Sequence, residues 1–177
     1  MRAFSYIIVL VLALTGPSLA GSWCGVVGLP DFGAEAAAGF GIELERLVLV
    51  PAPGEQWLAV TAALVDVLGV VVTRPPRNAS DTDAARLAAR LRQRGCTLIV
   101  AGDWPQSEAR LRLAGSRWSG LGQGHGYLSG REVTVTSAHS GRGGAGTARL
   151  WLPDELLAFR AAPEPGQASG PRRLEAG

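Results

Sequence analysis

The stretch that decides the fold is 68–101, LGVVVTRPPRNASDTDAARLAARLRQRGCTLIVA. Residues 69–73 are mostly β-branched and are soon followed by two prolines, a pattern typical of a buried strand. Ser80 or Asp81 then caps a helix in which apolar residues recur every three or four positions up to Gly95. A second apolar run, 97–101, follows directly. A strand, a helix and a strand in this order predict a parallel sheet that is covered on both faces.

The same alternation extends upstream of this stretch. There, 23–29 and 46–50 are predicted strands, and 34–40 and 55–67 are predicted helices. A length of 177 residues suits one such domain, which we expect over 21–160.

The pattern changes beyond the last of these strands. Alternation with a period of two predicts antiparallel strands joined by glycine-rich segments, at 108–113, 132–137 and 147–152. The predicted fold class is therefore α/β: a mostly parallel sheet flanked by helices, with antiparallel hairpins in the C-terminal half. The tail 161–177, rich in proline, glycine and arginine, is predicted to be disordered.

The N-terminal segment 1–20 has two interpretations. Arg2, an apolar run over 6–14, and the small residues Ser18 and Ala20 are typical of a secretory signal. The run is too short for a transmembrane helix, so no membrane span is predicted. The same apolar content also suits a buried helix. The protein is therefore expected either in the cytoplasm or as an exported small α/β protein with a cleaved signal.

Composition limits the chemistry. All 17 basic residues are arginine, so the phosphate-binding pattern G-x-x-x-x-G-K-[ST] is excluded. A net charge of +2 does not by itself indicate nucleic-acid binding. Cys24 and Cys96 each begin an apolar run and are interpreted as buried free thiols rather than a disulfide or a metal site.

The residues that could carry catalysis are few. His125 and His139 lack a serine or cysteine nucleophile elbow, and the glycine pattern at 141–146 precedes a strand instead of a helix. Asp103 follows the carboxyl end of a predicted parallel strand, where α/β proteins bind ligands. A hydrolase using His125 or Asp103 ranks last because neither has a visible catalytic partner. We therefore expect no enzyme, no cofactor and no small-molecule substrate.

Arginine and tryptophan occur together in the second half of the chain. Such residues contact single-stranded nucleic acid or a protein partner, although they are more often solvated strand faces beside core aromatics. The contact residues predicted on this basis are Arg110, Arg112, Arg117, Trp118, Arg131, Arg172 and Arg173.

The order of elements resembles the RecA-type recombinase core over 10–153. The resemblance rests on FGIELERL at 40–47, Pro51, GEQ at 54–56 and EARLRL at 108–113. It implies that Pro30 stands where the family has a water-activating glutamate. It also implies that Thr73 stands in place of the magnesium-associated acid, and that the phosphate loop before the first helix is absent. Without these parts the resemblance implies no ATP hydrolysis.

Two further segments, GPSLAGSW at 16–23 and GSRWSGLG at 115–122, resemble actinobacterial ImuA-type proteins, which are RecA relatives without catalysis. The resemblance implies an assembly factor in SOS-induced translesion DNA synthesis and mutagenesis. Its implied protein partners are an ImuB-type Y-family protein, a DnaE-type polymerase and RecA, with DNA as a further contact. It also implies that 10–20 is the helix that normally follows the phosphate loop.

Overall fold

The computed structural model describes residues 3–105, 107–119, 130–139, 144–151 and 160–162. The chain divides into two compact units, Met1–Ser107 and Glu108–Gly177, where the sequence predicts one domain over 21–160. Strand pairing explains the difference, because the parallel strands form one sheet and the antiparallel strands form another.

The first unit alternates helices and strands, as predicted. In chain order its α-helices and strands are α1 (Ala3–Leu19), β1 (Cys24–Val27), α2 (Ala34–Gly39), β2 (Leu47–Val50), α3 (Trp57–Val65), β3 (Val70–Thr73), α4 (Asp81–Arg94) and β4 (Thr97–Val100). The four strands form a parallel sheet in the order β2-β1-β3-β4.

Different helices cover the two faces of this sheet. Because successive side chains of a strand point to opposite faces, Val26 packs on one side and Val27 on the other. The first side carries α1 and α2, with the buried residues Leu10, Val11, Leu14, Cys24, Val26, Leu29, Ala37, Ile42, Val70 and Val72. The second side carries α3 and α4, with the buried residues Val27, Trp57, Val65, Leu68, Val71, Leu87 and Cys96. Cys24 and Cys96 are free and buried, as predicted.

Helix α1 is part of the core of the first unit. Leu14 is fully buried. The Thr15 hydroxyl lies 3.3 Å from the Phe40 carbonyl oxygen, and the Ser18 hydroxyl accepts a hydrogen bond of 2.9 Å from the Glu43 backbone N–H. These contacts fix the helix to the segment that follows α2. Among the helices that the structure describes, none is both long and apolar enough to cross a bilayer.

Helix α4 begins and ends as the sequence predicts. Ser80 is the N-cap and forms a capping box with Asp83, and Gly95 ends the helix in the left-handed conformation. The Ser80 backbone N–H, followed by its hydroxyl, holds the pKa of Asp83 below its usual range. Asp66 forms surface ion pairs with Arg90 and Arg94, in keeping with a solvated helix face.

The second unit is an antiparallel sheet in the order β5-β6-β7-β8. Its strands are β5 (Ala109–Ser119), β6 (Gly130–His139), β7 (Gly146–Trp151) and β8 (Arg160–Ala161). The three predicted strands are confirmed, but β5 continues six residues beyond the predicted end at 113.

The predicted disordered tail 161–177 overlaps the described structure at two residues. Ala161 pairs with Leu150 in the sheet, and the Ala162 backbone N–H donates to the Arg149 carbonyl oxygen at 2.8 Å. The rest of that tail from 163 onward lies outside the described residues, and so does His125.

A first prediction concerns the turn after β1. Gly28 has a φ of +73°, and a Cβ added there would lie 2.8 Å from the backbone carbonyl oxygen of Arg74. Gly28→Ala should therefore lower the free energy of unfolding by more than the roughly 1 kcal/mol of left-handed strain alone. Urea denaturation measures the change.

The matched control is Gly95→Ala. Gly95 also has a positive φ, +67°, but an added Cβ would meet nothing within 4 Å. This variant should show the conformational cost alone, about 1 kcal/mol. Equal losses for Gly28→Ala and Gly95→Ala would show that the close approach to Arg74 has no energetic consequence.

A second prediction concerns alkaline pH. Burial raises the pKa of Cys96 from 9.0 to about 11. Because the unfolded thiol ionises first, the stabilising effect is complete below pH 9.0 and is lost as the pH rises through about 11. The free energy of unfolding should decline more steeply across this window in the natural chain than in Cys96→Ala. Parallel declines would contradict the prediction.

Candidate functional site

The carboxyl edge of the parallel sheet contains the point where the strand order reverses. From β1 the chain passes to β2 on one side, whereas β3 lies on the other side of β1. Open α/β sheets bind ligands in the crevice outside the strands at such a point. A cavity of about 280 Å³ lies there, lined by Gly28, Pro51, Ala52, Pro53, Gly54, Trp57, Arg74, Pro75 and Pro76.

A buried hydrogen bond closes the end of β3 beside this cavity. The indole N–H of Trp57, at the start of α3, donates to the hydroxyl of Thr73 at 2.7 Å. Both residues are buried, and Trp104 packs edge-on against Trp57 with ring centroids 5.9 Å apart. The Thr73 hydroxyl is therefore already hydrogen-bonded inside the protein.

This arrangement does not fit a magnesium nucleotide of the RecA type. The resemblance puts the magnesium-associated acid at the position of Thr73, and here that position carries a buried hydroxyl already bonded to Trp57. Pro30, in the place of the water-activating glutamate, is exposed and has no side chain that could orient water. Neither position carries the carboxylate that the RecA-type resemblance would require there.

Asp103 follows β4, as the sequence predicts. It is exposed and lines a separate cavity of about 220 Å³ together with Pro75 and Trp104. His139 ends β6, where a ring nitrogen lies 3.2 Å from the Gly144 carbonyl oxygen across the β6–β7 connection. This contact gives His139 a structural role in the hairpin.

The antiparallel sheet carries a row of arginines on one face. Residues directly opposite each other on paired strands share a face, and Arg117 lies opposite Glu132. Glu132 in turn forms an ion pair with Arg149 of β7. We call this surface the arginine face; it consists of Arg110, Arg112, Arg117, Glu132, Thr134, Thr136, Thr147, Arg149 and Trp151.

A shift in strand register creates the arginine face. Arg112 and Arg117 are five residues apart, an odd spacing that would put them on opposite faces of a regular strand. Between them, Leu113 and Gly115 pair with adjacent residues of β6, so β5 contains one extra residue. Because this bulge reverses the alternation, Arg117 lies on the same side as Arg110 and Arg112.

Trp118 and Arg131 lie together on the opposite face. The guanidinium carbon of Arg131 is 5.3 Å from the ring centroid of Trp118, and its Nε donates to the Ser116 hydroxyl at 2.9 Å. Arg131 is only 7% exposed, which corrects its prediction as a contact residue. Its guanidinium is used inside the sheet, where it packs on the indole.

The predicted contact set is therefore divided. Arg110, Arg112 and Arg117 are exposed and share the arginine face, whereas the half-exposed Trp118 faces the other way. The tryptophan on the arginine face is Trp151, which is among the tryptophans near these arginines in sequence but is not in the predicted contact set. The strand register, rather than proximity in sequence, places it on this face. Arg172 and Arg173 lie outside the described residues.

A third prediction concerns the buried bond between Trp57 and Thr73. Trp57→Phe removes the donor, and Thr73→Val removes the acceptor and leaves a buried indole N–H unpaired. Each should lower the free energy of unfolding by about 1–3 kcal/mol. The double variant should lose less than the sum, by about 1 kcal/mol, since neither group is then left unpaired. If the losses in the free energy of unfolding, measured by urea denaturation, are strictly additive, the two groups do not interact and the prediction is wrong.

Comparison with known proteins places the first unit in a family. Residues 5–106 match the model of the MT3502 N-terminal domain, a range that includes most of α1 and ends at the boundary of the first unit. The chain is also 40% identical over 94 residues to the uncharacterized protein Rv3395c of Mycobacterium tuberculosis. That alignment covers 52% of this chain and 46% of the relative, so the chain spans about half the length of the curated relative. The chain belongs to the MT3502 N-terminal domain family.

Proposed function

We propose that this protein is a non-catalytic assembly factor in SOS-induced translesion DNA synthesis and mutagenesis. It acts through contacts with an ImuB-type Y-family protein, a DnaE-type polymerase and RecA. The first unit is, in this proposal, a RecA-like core that has lost its ATPase chemistry. The choice of pathway and partners rests on the ImuA-type resemblance of 16–23 and 115–122.

The observation that carries the proposal is the buried bond between Trp57 and Thr73. Phosphoryl transfer depends on positioned positive charge, magnesium and an oriented nucleophile. The strand end that would hold magnesium instead holds a tryptophan against the sheet, which stabilises the fold.

The packing of α1 supports a cytoplasmic location. Cleavage after Ala20 would remove Leu10, Val11 and Leu14 from the first side of the sheet. Burying each such side chain contributes about 1.5–3 kcal/mol, and a domain of this size has a total stability of about 5–15 kcal/mol. The family match, which begins at residue 5, also includes this helix. Export with cleavage would therefore remove a large part of the folding free energy.

One edge of the parallel sheet supports a role in protein contact. β2 is an edge strand, and Leu49 within it is exposed, as is Leu44 in the turn before it. An edge strand offers unpaired backbone groups to a partner strand. Exposed leucines beside such an edge add apolar area that a partner can bury.

A fourth prediction tests the proposal in the native cells after DNA damage. The tagged full-length chain should copurify with the Y-family protein and the polymerase, retain its N-terminus by mass, and hydrolyse no ATP. Leu44→Glu combined with Leu49→Glu should reduce the recovered polymerase about tenfold or more, because charge at the contact prevents apolar burial.

The matched control is Val67→Glu. Val67 is 74% exposed and lies outside the strands, so this variant adds an acidic residue to the same unit away from the edge. It should recover the polymerase as the natural chain does. Failure to recover either partner, or ATP turnover that a Thr73→Ala change abolishes, would overturn the proposal.

A further inference from the structure

We propose that the arginine face binds single-stranded DNA. This activity goes beyond protein-mediated assembly, and its physical basis is the face itself. Only the choice of DNA over RNA rests on the proposed function.

The charge on this face is concentrated and available. Arg110, Arg112 and Arg117 are exposed, and within the described ranges none of the ion pairs involves them. The single acidic side chain assigned to the face, Glu132, is neutralised by Arg149. Three guanidinium groups therefore remain to bind phosphate, which arginine binds through two parallel hydrogen bonds.

The spacing of these arginines suits an extended polyanion. Alternate residues of a strand are about 7 Å apart along its axis, which separates Arg110 from Arg112. The bulge at 113–115 then places Arg117 farther along the same side of β5. The result is a row of positive charge that follows one strand, as the phosphate backbone of a single strand would.

The remaining side chains favour nucleic acid over an acidic peptide. Thr134 and Thr147 supply hydroxyl groups that can donate to sugar and phosphate oxygens. Trp151 supplies an indole that can stack on a base. In β5, β6 and β7, every described aliphatic side chain larger than alanine lies on the opposite face. A peptide would find no apolar pocket here, whereas nucleic acid needs none.

The shape of the surface favours a single strand over a duplex. Proteins read duplex DNA by inserting a helix or a two-stranded ribbon into the major groove. A broad sheet face does not enter a groove, but it can support unstacked bases on its side chains. The arginine face spans three neighbouring strands, β5, β6 and β7.

The fifth prediction tests this assignment with the full-length chain and a fluorescein-labelled oligothymidylate of about 20 nucleotides. Fluorescence anisotropy should show binding that weakens with salt. The triple variant Arg110→Gln, Arg112→Gln, Arg117→Gln should bind about tenfold or more weakly near 150 mM salt. The slope of log affinity against log salt should fall by about 2, since each lost phosphate contact contributes about 0.7.

The matched control removes the same charge from the first unit. The variant with Arg77→Gln, Arg86→Gln and Arg92→Gln changes three exposed arginines of the first unit, which are outside the arginine face. It should keep the affinity and the salt slope of the natural chain, and both variants should keep its melting temperature. Equal weakening by the two triple variants would show only a response to net charge and would overturn the assignment.

Two further probes separate the remaining alternatives. If a polyglutamate peptide binds more tightly than the oligonucleotide, and the arginine-face variant loses that binding, the face binds an acidic protein segment. That result would overturn the inference. If oligouridylate binds more tightly than oligothymidylate, the choice of DNA over RNA is overturned. None of these outcomes depends on recovery of the polymerase, so failure here and failure of the proposed function remain distinguishable.

Discussion

The first unit depends on one constraint: a four-stranded parallel sheet must be covered on both faces. The central strands β1 and β3 are buried along their whole length, so neither of their faces can be left to water. Helices α3 and α4 cover one face, and α2 is too short to cover the other alone. Helix α1 supplies the missing cover. Its side chains Leu10, Val11 and Leu14 are buried against that face.

The same constraint shapes the carboxyl edge of the sheet. Because the four strands have four residues each and are paired in register, their ends lie level, and the loops after them meet at one edge. Trp57 begins α3 at that edge and reaches the hydroxyl that ends β3. Burying the Thr73 hydroxyl without this donor would lower the free energy of unfolding. The bond therefore secures the core at the carboxyl end of β3.

Much of the first unit was predictable because its signals are local. The valine run before the prolines, Ser80 as a cap and Gly95 as a stop each act within a few residues of themselves. The second unit depends on pairing between distant residues, and sequence periodicity does not record such pairing. The bulge near Gly115 leaves no local signal, since glycine there would equally suit a turn. Proximity in sequence therefore predicted Trp118 and Arg131 as contact residues together with three arginines that lie on the opposite face.

That single extra residue in β5 determines what the second unit presents to a partner. With regular alternation, Arg117 would lie beside Leu111 and Leu113, and each face would mix charge with apolar area. With the bulge, one face holds Arg110, Arg112 and Arg117 with the threonine hydroxyls. The other holds the leucines and valines beside Trp118 and Arg131. A net charge of +2 conceals this separation, because it averages over the whole chain. The charge that matters for binding is set by strand register, so it becomes visible only when the pairing of β5 with β6 is known.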